Sequence, residues 1–480
     1  MRQLCALAIE RAVDAGAAYA DTRAVTRRSQ SVATRNGEVD SVSDGETEGI
    51  GVRVLVDGAW GFACDRRLTP EGGRAAAERA VEFARASAPY GKARKLVLAP
   101  VPPASGEYTT PALRDPVDVP LSEKIGLCLS AEAGLRHPDV KVTQASVRAM
   151  REVRAFASSE GADVLQTFLE CGGGIDAYAI AEGRVQIRSH PSMHGGSSAQ
   201  AGWEHVEALG LSEEAPRVAE EAAALLRADP CPATVTTIVL DPEQVVLQVH
   251  ESVGHPTELD RIYGTEASYA GTSFLGPGDL GSLRYGSERM FITADPTTPG
   301  GLGTFAFDDE GVAAARQPVV EAGMLTGFLS SRETAALLGE GAGGSMRADS
   351  WSRMPLVRIT NLHLEPGEGT LEELLADVDE GVYLATNKSW SIDDKRLNFQ
   401  FGTQIAREIK RGKLGRILRD PVYMGMTPQF WASLDGVGGP EEWALYGLTN
   451  CGKGQPGQHA HVSHGASPAR FRNVQIGVRT

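Results

Sequence analysis

The stretch Val245–Asp260, VVLQVHESVGHPTELD, carries two histidines and a glutamate in the order H-E-x-x-x-H. In the shorter pattern H-E-x-x-H, two imidazoles on one helix face bind zinc and the glutamate serves as general base. His250, Glu251 and His255 therefore point to metal-assisted hydrolysis. The additional residue has to be absorbed by the backbone before both imidazoles can reach one ion.

The segment that follows the strand-like run TVTTIVL is predicted to be a helix. Asp241 suits the N-cap position, Pro242 suits the first helical position, and Gln244 completes a pattern similar to a capping box. Apolar residues at i, i+4 spacing then share one face, through which the helix would pack. These residues are Val245, Val249 and Val253.

A regular helix would keep the two histidines apart. Five residues at about 100° each place His250 and His255 about 140° apart around the axis, which is too far for two ligands of one ion. Gly254 lowers the cost of leaving α geometry, and Pro256 disfavours the α region for His255. A π-like last turn would bring positions i and i+5 to one side, so we predict a distortion at Val253–His255.

A catalytic zinc site needs a third protein ligand and an open position. The residue types alone leave six candidates open: Glu258, Asp260, Cys451, His459, His461 and His464. The alternative interpretation is a polar helix end, capped by a histidine, that binds no metal.

The composition limits the class of protein. The chain has 480 residues, enough for two or three domains, with 42% hydrophobic and 23% charged residues. The net charge of -15 argues against nucleic-acid binding. No segment approaches the roughly 20 apolar residues of a membrane span, and the apolar run Leu4–Ile9 is short for a signal peptide. Six cysteines without a C-x-x-C pair favour a reducing, cytoplasmic location.

The order of the predicted elements gives the fold class. Asn36-Gly37 and Asp57-Gly58 predict hairpins, and the alternating runs between Val140 and Ile187 predict strands, with an interruption at the glycines after Cys171. Helices are predicted over Pro70–Ala88, after a cap at Ser122, and at 214–228, 331–338 and 371–377.

We therefore predict an α+β protein with two domains. Residues 1–229 would form a mixed α/β domain with a Pro-rich loop at 98–120. Residues 230–480 would form a β-dominated domain that carries the short metal-binding helix. Asp229-Pro-Cys-Pro, which follows a predicted helix, suits the boundary.

Several stretches together resemble one known family. HESVGHPTELD, LTNCGKGQPGQ at 448–458, ADPTTPGGLGTFAFDDEG at 294–311, MPLVRITNLHLEPG at 354–367 and VSHGASPARFRNV near the end are similar to the TldD/PmbA zinc metallopeptidases. The resemblance implies that His250, His255 and Cys451 hold one zinc ion per chain. It also implies that Glu251 acts as general base on a zinc-bound water. Because every element is present, the chain resembles the catalytically active, TldD-like members.

The resemblance also implies partners and a substrate. Members form a homodimer or a heterodimer with an inactive paralogue, and the N-terminal domain would supply dimer contacts and a cleft wall. Unfolded or leader-type peptides would bind as an extended strand. His459 and His461 could line the site without binding metal. Two alternatives stay open: a zinc amidase or peptidase that matures a small-molecule natural product, and a non-catalytic peptide-binding partner subunit.

Other motifs in the sequence do not indicate a second functional site. Gly339–Gly344 spells G-x-G-x-x-G but follows a helix-like run, which argues against dinucleotide binding. Asp308-Asp309-Glu310 is predicted to be a turn rather than a cation site. The basic run Arg407–Arg419 predicts a solvated hairpin around Gly412. The sequence has no G-x-S-x-G, and four histidines have no helpful spacing: His190, His194, His205 and His363.

Overall fold

The computed structural model describes residues 1–90, 96–193, 195–266 and 271–477. His194, one of the histidines without helpful spacing, lies outside these residues. The α-helices are α1 Arg2–Asp14, α2 Pro70–Ser87, α3 Leu121–Gly134, α4 Glu204–Ala208, α5 Leu211–Arg227, α6 Pro242–Val249, α7 Leu259–Ile262, α8 Arg332–Leu338, α9 Leu371–Ala376 and α10 Thr427–Ala432. Within the described ranges, none of them combines the length and the hydropathy that a bilayer span requires.

The first half of the chain is built on one large sheet. Its strands are β1 Tyr19–Arg35, β2 Glu38–Val56, β3 Ala59–Asp65, β4 Ser105–Thr109, β5 Val140–Ser158, β6 Asp163–Ala181, β7 Arg184–His190 and β8 Ser197–Ala199. They follow the order β3-β2-β1-β5-β6-β4, with β7 and β8 also paired to β6. Helices α1 and α2 bury an alanine-rich face against β2, and α3 and α5 pack against β5 and β6.

The second half is richer in short strands. They are β9 Asp229–Pro230, β10 Thr234–Leu240, β11 Ile292–Ala294, β12 Gln317–Glu321, β13 Met324–Leu325, β14 Met346–Arg347, β15 Leu356–Val357, β16 Leu362–Leu364, β17 Glu380–Ile392, β18 Asn398–Lys410, β19 Lys413–Arg419, β20 Val422–Met426, β21 Leu434–Val437, β22 Ala444–Lys453, β23 Gln458–Ala466 and β24 Ala469–Ile476.

Five of these strands close on themselves. The path β17-β10-β24-β20-β18 returns to its start because β17 pairs in parallel with β10 and antiparallel with β18. Closure leaves this part of the sheet without a free edge. Helix α6 packs through Val245 and Val249 into the core of this barrel, and β22 and β23 form a separate hairpin. The predicted α+β class, with a β-rich second half that carries a short helix, is confirmed.

Several local predictions are also confirmed. Residues Asn36 and Asp57 have φ of 52° and 50°, as the two-residue turns of the predicted hairpins require. The basic run forms the predicted hairpin of β18 and β19. The stretch Gly339–Gly344 follows helix α8 rather than a strand.

The interruption predicted at the glycines after Cys171 is wrong, because β6 runs through them without a break. These glycines serve close packing instead. A Cβ on Gly172 would lie 2.2 Å from Ser198 Oγ, and one on Gly174 would lie 2.5 Å from Gly196 Cα. Glycine inside a strand here marks the approach of a neighbouring backbone.

Two further local predictions need correction. The Pro-rich stretch 98–120 is not entirely loop, because β4 lies within it and pairs in parallel with β6. Ser122 does not cap α3: the helix begins at Leu121 after Pro120, without a side-chain cap. The fixed φ of Pro120 starts the helix without a hydroxyl acceptor.

Candidate metal centre

Helix α6 presents the H-E-x-x-x-H residues, and its start is fixed by its cap. Asp241 accepts a hydrogen bond from Gln244 N at 2.9 Å, and Pro242 occupies the first turn. The reciprocal half of the predicted capping box does not form. The Gln244 side chain donates instead to the hydroxyl of Tyr423 at 2.8 Å, which ties the helix to the barrel.

The predicted distortion of the helix end is confirmed. Residues His250–Gly254 form a π-helical turn in which His255 N–H donates to His250 O, five residues back, and a 3₁₀ turn follows over His255–Thr257. The two imidazoles therefore meet, with ring centroids 4.7 Å apart and planes at 82°. The wider turn absorbs the additional residue of the motif.

Neighbouring side chains satisfy the carbonyl groups that the distortion frees. Pro256 has no N–H to offer Ser252 O, and the hydroxyl of Tyr285 donates to that oxygen at 2.5 Å. Thr257 Oγ1 lies 2.9 Å from both Val253 O and Gly254 O. The π turn is thus held by specific hydrogen bonds.

Cys451 reaches the same point from the β22–β23 hairpin. The pairing register of this hairpin shifts between Leu448 and Cys451, which is a β-bulge and re-aims the side chain. Cys451 Sγ lies 3.8 Å from His255 Nε2. The ligand atoms of His250, His255 and Cys451 all lie within 4.8 Å of one another, and all three side chains are buried, so this group could hold a metal ion.

The ring nitrogens of both histidines have defined partners behind them. His464 Nδ1 lies 2.9 Å from Leu362 O, which can only accept, so His464 Nε2 accepts from His250 Nδ1 at 2.7 Å. Burial lowers the pKa of His464 well below its ordinary value, in keeping with a neutral ring. This chain of hydrogen bonds leaves the lone pair of His250 Nε2 free for a metal.

His255 is oriented by a carboxylate. Its Nδ1 lies 3.0 Å from Glu258 Oε2, so Nδ1 carries the proton and Nε2 is the free donor atom. Glu258 is fully buried but compensated, with Arg261 Nε at 2.5 Å and Lys453 Nζ at 3.2 Å. Burial raises the pKa of Glu258, and the charges of Lys453 and Arg261 outweigh it, so the pKa lies well below the usual range.

The thiol of Cys451 is in a cationic environment. Burial raises its pKa, but the charge of Arg358 and the proximity of His255 bring it down to about 7. The Arg358 guanidinium also donates to the backbone carbonyl of Cys451. A thiol whose pKa is depressed in this way ionises readily and is a good metal ligand.

Glu251 faces the cavity beside the imidazoles. Its Oε2 lies 2.6 Å from Arg396 Nη1, and the residue is 7% exposed. Burial raises the pKa of Glu251, but the imidazoles together with Arg396 outweigh burial, so the net pKa lies below the ordinary value. Glu251 is thus held as a carboxylate, the form that accepts a proton.

The remaining candidates for a third ligand have other contacts. Asp260 pairs with Lys453 at 2.8 Å, and His461 Nδ1 lies 2.5 Å from Glu170. His459 lines the same cavity as His250, His255 and Cys451. Glu258 and His464 stand behind the two motif histidines, as described above.

The other acidic and histidine positions take no part in this group. Asp308 accepts from the backbone of Glu310 and Val312 in the predicted turn, and Asp309 lies 2.8 Å from Arg154. The histidines without helpful spacing bind polar groups elsewhere or lie apart: His190 contacts Leu209 O, His363 contacts Thr298, and His205 is on α4.

A cavity of about 430 Å³ opens in front of the three ligand residues. Its lining includes residues of α6, five residues of β22 between 446 and 452, Trp390 of β17, and Arg396, which follows β17. A cavity of this size with buried ionisable groups at one end is typical of an enzyme active site.

Comparisons with known proteins identify the family of the chain. Family models of the PmbA/TldA metallopeptidases match residues 20–88 (domain 1), 114–228 (central domain) and 233–478 (C-terminal domain). The chain belongs to this metallopeptidase family. The resemblance predicted from the sequence is confirmed.

Individual members of the family are similar over nearly the whole chain. A metalloprotease of Methanothermobacter thermautotrophicus is 33% identical over 460 residues, which cover 96% of this chain and 95% of that protein. The zinc metalloprotease TldD homolog of Saccharolobus solfataricus is 23% identical over 480 residues and 98% of each chain.

Two solved structures share the fold. A protein from Thermotoga maritima aligns over 99% of each chain with a TM-score of 0.77 and 20% identity. TldE from Thermococcus kodakarensis aligns over 98% of this chain and 99% of its own, with a TM-score of 0.72 and 16% identity.

Sequence reasoning missed the roles of four residues of the site. His464 and Glu258 were candidates as ligands and instead form hydrogen bonds with His250 and His255, whereas Arg396 and Lys453 were not among the candidates. Glu258 was within reach of local reasoning, because it lies three residues after His255 on a helical segment. The other three lie more than a hundred residues from their partners, and no local spacing signals them.

Proposed function

We propose that this chain is a zinc-dependent peptidase in which His250, His255 and Cys451 hold one zinc ion and Glu251 is the general base. The observation that carries the proposal is the meeting of three buried donor atoms within 4.8 Å, at the end of an open cavity and next to a carboxylate. The zinc metalloprotease of S. solfataricus, a relative over 98% of the chain, supports the choice of metal.

The residues present fit zinc. Two imidazoles and a thiolate are a ligand set of catalytic zinc sites, which keep one position open for water or substrate. Ligand atoms on one tetrahedral zinc lie about 3.5 Å apart, close to the 3.8 Å between Cys451 Sγ and His255 Nε2. The free lone pairs of both imidazoles and the depressed pKa of the thiol also support zinc binding.

Each residue around the metal would have a separate role in hydrolysis. Bound zinc supplies Lewis acidity, which polarises a carbonyl group and makes water more acidic. Glu251 takes a proton at its carboxylate and delivers it to the leaving amine. Arg396, at 2.6 Å, keeps that carboxylate ionised and holds its orientation. His464 and Glu258 keep the two imidazoles in the required tautomers.

The shape of the cavity favours an extended peptide as substrate. Within the described residues, β22 pairs as a strand only with β23. Its backbone also contacts Ser197 Oγ through Gly447 N–H at 3.2 Å and Arg358 through Cys451 O, so only the remaining part of its other edge would take main-chain hydrogen bonds from a substrate. Residues 448 and 450–452 of this strand line the cavity next to the metal ligands. An unfolded or leader-type peptide could add there as a strand, and recognition would depend mainly on its backbone.

The decisive experiment separates metal binding from catalysis. The variant Glu251→Gln should retain about one zinc per chain by elemental analysis, because the substitution leaves all three proposed zinc ligands in place. Its kcat/KM on a fluorescent unfolded casein should fall by about 10²–10⁴-fold, as expected for loss of a general base. His250→Ala should lose both the metal and the activity.

Matched variants exclude general damage to the fold. Glu82→Gln on the exposed side of α2 and His137→Ala in the first half of the chain should keep wild-type zinc content and turnover. Wild-type activity in Glu251→Gln would remove this residue from the mechanism. Turnover of small amides but not of casein would move the substrate class to the amidase alternative.

A further inference from the structure

The part of the cavity around Glu243, away from the proposed metal ligands, is lined by acidic, amide and aromatic side chains. Glu243 and His250 are seven residues apart on one helical segment, so they share a face and are separated by about 10 Å along the axis. Both line the same cavity, together with Leu247 between them. Glu243 therefore lines the cavity about 10 Å along the helix from His250.

Glu243 and Asn387 both line this part of the cavity, and the Glu243 carboxylate accepts hydrogen bonds from the backbone of Asn387 and of Met193. Glu243 is 7% exposed, and its Oε2 accepts from Asn387 N at 2.8 Å. Asn387 is 3% exposed and its Nδ2 faces only acceptors, the nearest being Gln244 Oε1 at 3.4 Å. Its Oδ1 is buried and has no hydrogen-bond partner among the described residues. Because buried polar atoms are normally hydrogen-bonded, an acceptor without a partner indicates that a donor binds there.

Among the described residues, the carboxylates at this end of the cavity form no ion pair, although Arg188 is near enough to lower the pKa of both. Across the described ranges, no lysine, arginine or histidine nitrogen forms an ion pair with the carboxylate of Glu243 or of its neighbour Asp241. The nearby Arg188 is engaged elsewhere, with Glu221 at 2.8 Å and Gln404 at 3.2 Å. Burial, followed by the charge of Asp241, raises the pKa of Glu243 to about 8.

The wall between the two ends is largely apolar. Val246 and Leu247 of α6 and Leu448 of β22 line the cavity, and Trp390 and Tyr446 add aromatic surface. Tyr446 lies close enough to Asp241 and Glu243 for their charges, after burial, to raise its pKa above the usual range. An aromatic ring beside carboxylates is a favourable setting for a cation.

We propose that Glu243, Asn387 and Tyr446 form a specificity pocket that takes the basic side chain of a lysine or arginine in the substrate. The proposal rests on the peptidase function and names the class of peptide that the site prefers. The aliphatic stem of such a residue would lie along the apolar wall, and its charged head would reach the acceptors at the end. The bound ammonium or guanidinium group would donate a hydrogen bond to Asn387 Oδ1 and would give Glu243 a cationic partner.

The first test measures cleavage. Three unstructured peptides that differ only in one residue, lysine, norleucine or glutamate, separate charge from length. In the wild type the ratio of kcat/KM for lysine over norleucine should be about tenfold or more, which is the discrimination expected of one desolvated charge pair. In Glu243→Gln that ratio should fall to about one. Glu132, which is also buried but lies far from the cavity, supplies the matched control Glu132→Gln, which should keep the wild-type ratio.

The second test measures binding without turnover, in case cleavage is absent. Fluorescein-labelled lysine and norleucine peptides are titrated by fluorescence anisotropy into Glu251→Gln and into Glu251→Gln/Glu243→Gln. We expect tighter binding of the lysine peptide to the single variant and equal binding of both peptides to the double variant. A second substitution, Asn387→Asp, adds a carboxylate at the same end and should widen the preference for lysine.

The outcomes separate the two proposals. Equal cleavage and equal binding of lysine and norleucine peptides, or a preference for glutamate, would overturn the specificity pocket and leave the peptidase function intact. Selective binding of the lysine peptide without cleavage of any peptide would overturn the peptidase function and retain the pocket.

Discussion

The imidazole of His464 determines which nitrogen of His250 faces the other ligands. Because Leu362 O can only accept, the proton positions along Leu362, His464 and His250 follow from two distances, 2.9 Å and 2.7 Å. Glu258 performs the same task for His255. Such outer partners fix the tautomer and the ring orientation of a metal ligand and raise its basicity.

We predict that His464→Ala weakens zinc binding without removing a ligand. The His250 Nδ1–H would lose its acceptor, and the ring could turn away, so zinc affinity should fall about 10–100-fold. Competition with a chromophoric chelator measures this change. The zinc affinity of His464→Gln, which retains an acceptor, should fall less, and the zinc affinity of His205→Ala on α4 should not change. Unchanged affinity in His464→Ala would remove this residue from the support of the site.

The sequence predicted part of this arrangement and not the rest, for physical reasons. His250, Glu251 and His255 lie on one continuous segment, so their mutual geometry depends on local backbone rules that can be applied without a fold. Cys451 was one of six candidates on residue type, and only the family resemblance selected it. Its position depends on a hairpin 196 residues away along the chain.

At the level of secondary structure, the π turn is the element on which the site depends. Because Gly254 has no side chain, the π turn can pack closely against Ile359 and Leu362. A Cβ at this position would lie 2.5 Å from Ile359 Cδ1 and 3.3 Å from Leu362 Cδ2. Gly254 is thus required both for the distortion and for the close approach of the neighbouring side chain. The sequence predicted the first reason and could not predict the second, because Ile359 is distant in the chain.

We predict that Gly254→Ala is destabilising and displaces His255. Overpacking of this kind costs about 1–3 kcal/mol and should lower both the melting temperature and the zinc affinity. Ile359→Val removes the nearest atom, so the double variant Gly254→Ala/Ile359→Val should recover part of both losses. A double-mutant cycle on melting temperature and zinc affinity measures the coupling. Strict additivity of the two substitutions would contradict the proposed contact.

Element predictions failed where tertiary packing decides the outcome. The three glycines after Cys171 suggest a break in a strand, but they sit in the middle of β6 because other backbone segments pack against them. The closure of the barrel through a parallel β10–β17 pair was also beyond the sequence, since about 140 residues separate the two strands. The fold class was accessible because hairpin turns and alternating runs are local signals.

At the scale of the whole molecule, the group proposed to hold zinc combines residues of two parts of the fold that share no strand. The end of α6 is anchored in the barrel core through Val249 and Val253, whereas Cys451 belongs to the separate β22–β23 hairpin. Lys453 adds a second connection, because this hairpin residue pairs with Glu258 and Asp260 beyond the π turn. An ion at the centre would therefore cross-link the hairpin to the helix.

We predict that zinc stabilises the fold through this cross-link. A ligand that binds only the native state adds RT ln(1 + [L]/Kd), which is about 4 kcal/mol when free zinc is 1,000 times Kd. The melting temperature should therefore rise with the concentration of free zinc, fall on chelation, and lose its zinc dependence in His250→Ala. Hydrogen exchange locates the effect: added zinc should slow exchange in residues 250–264 and 444–466 together, and leave α1 and α2 unchanged. Slower exchange in the helix segment alone would show that the hairpin thiol does not share the ion.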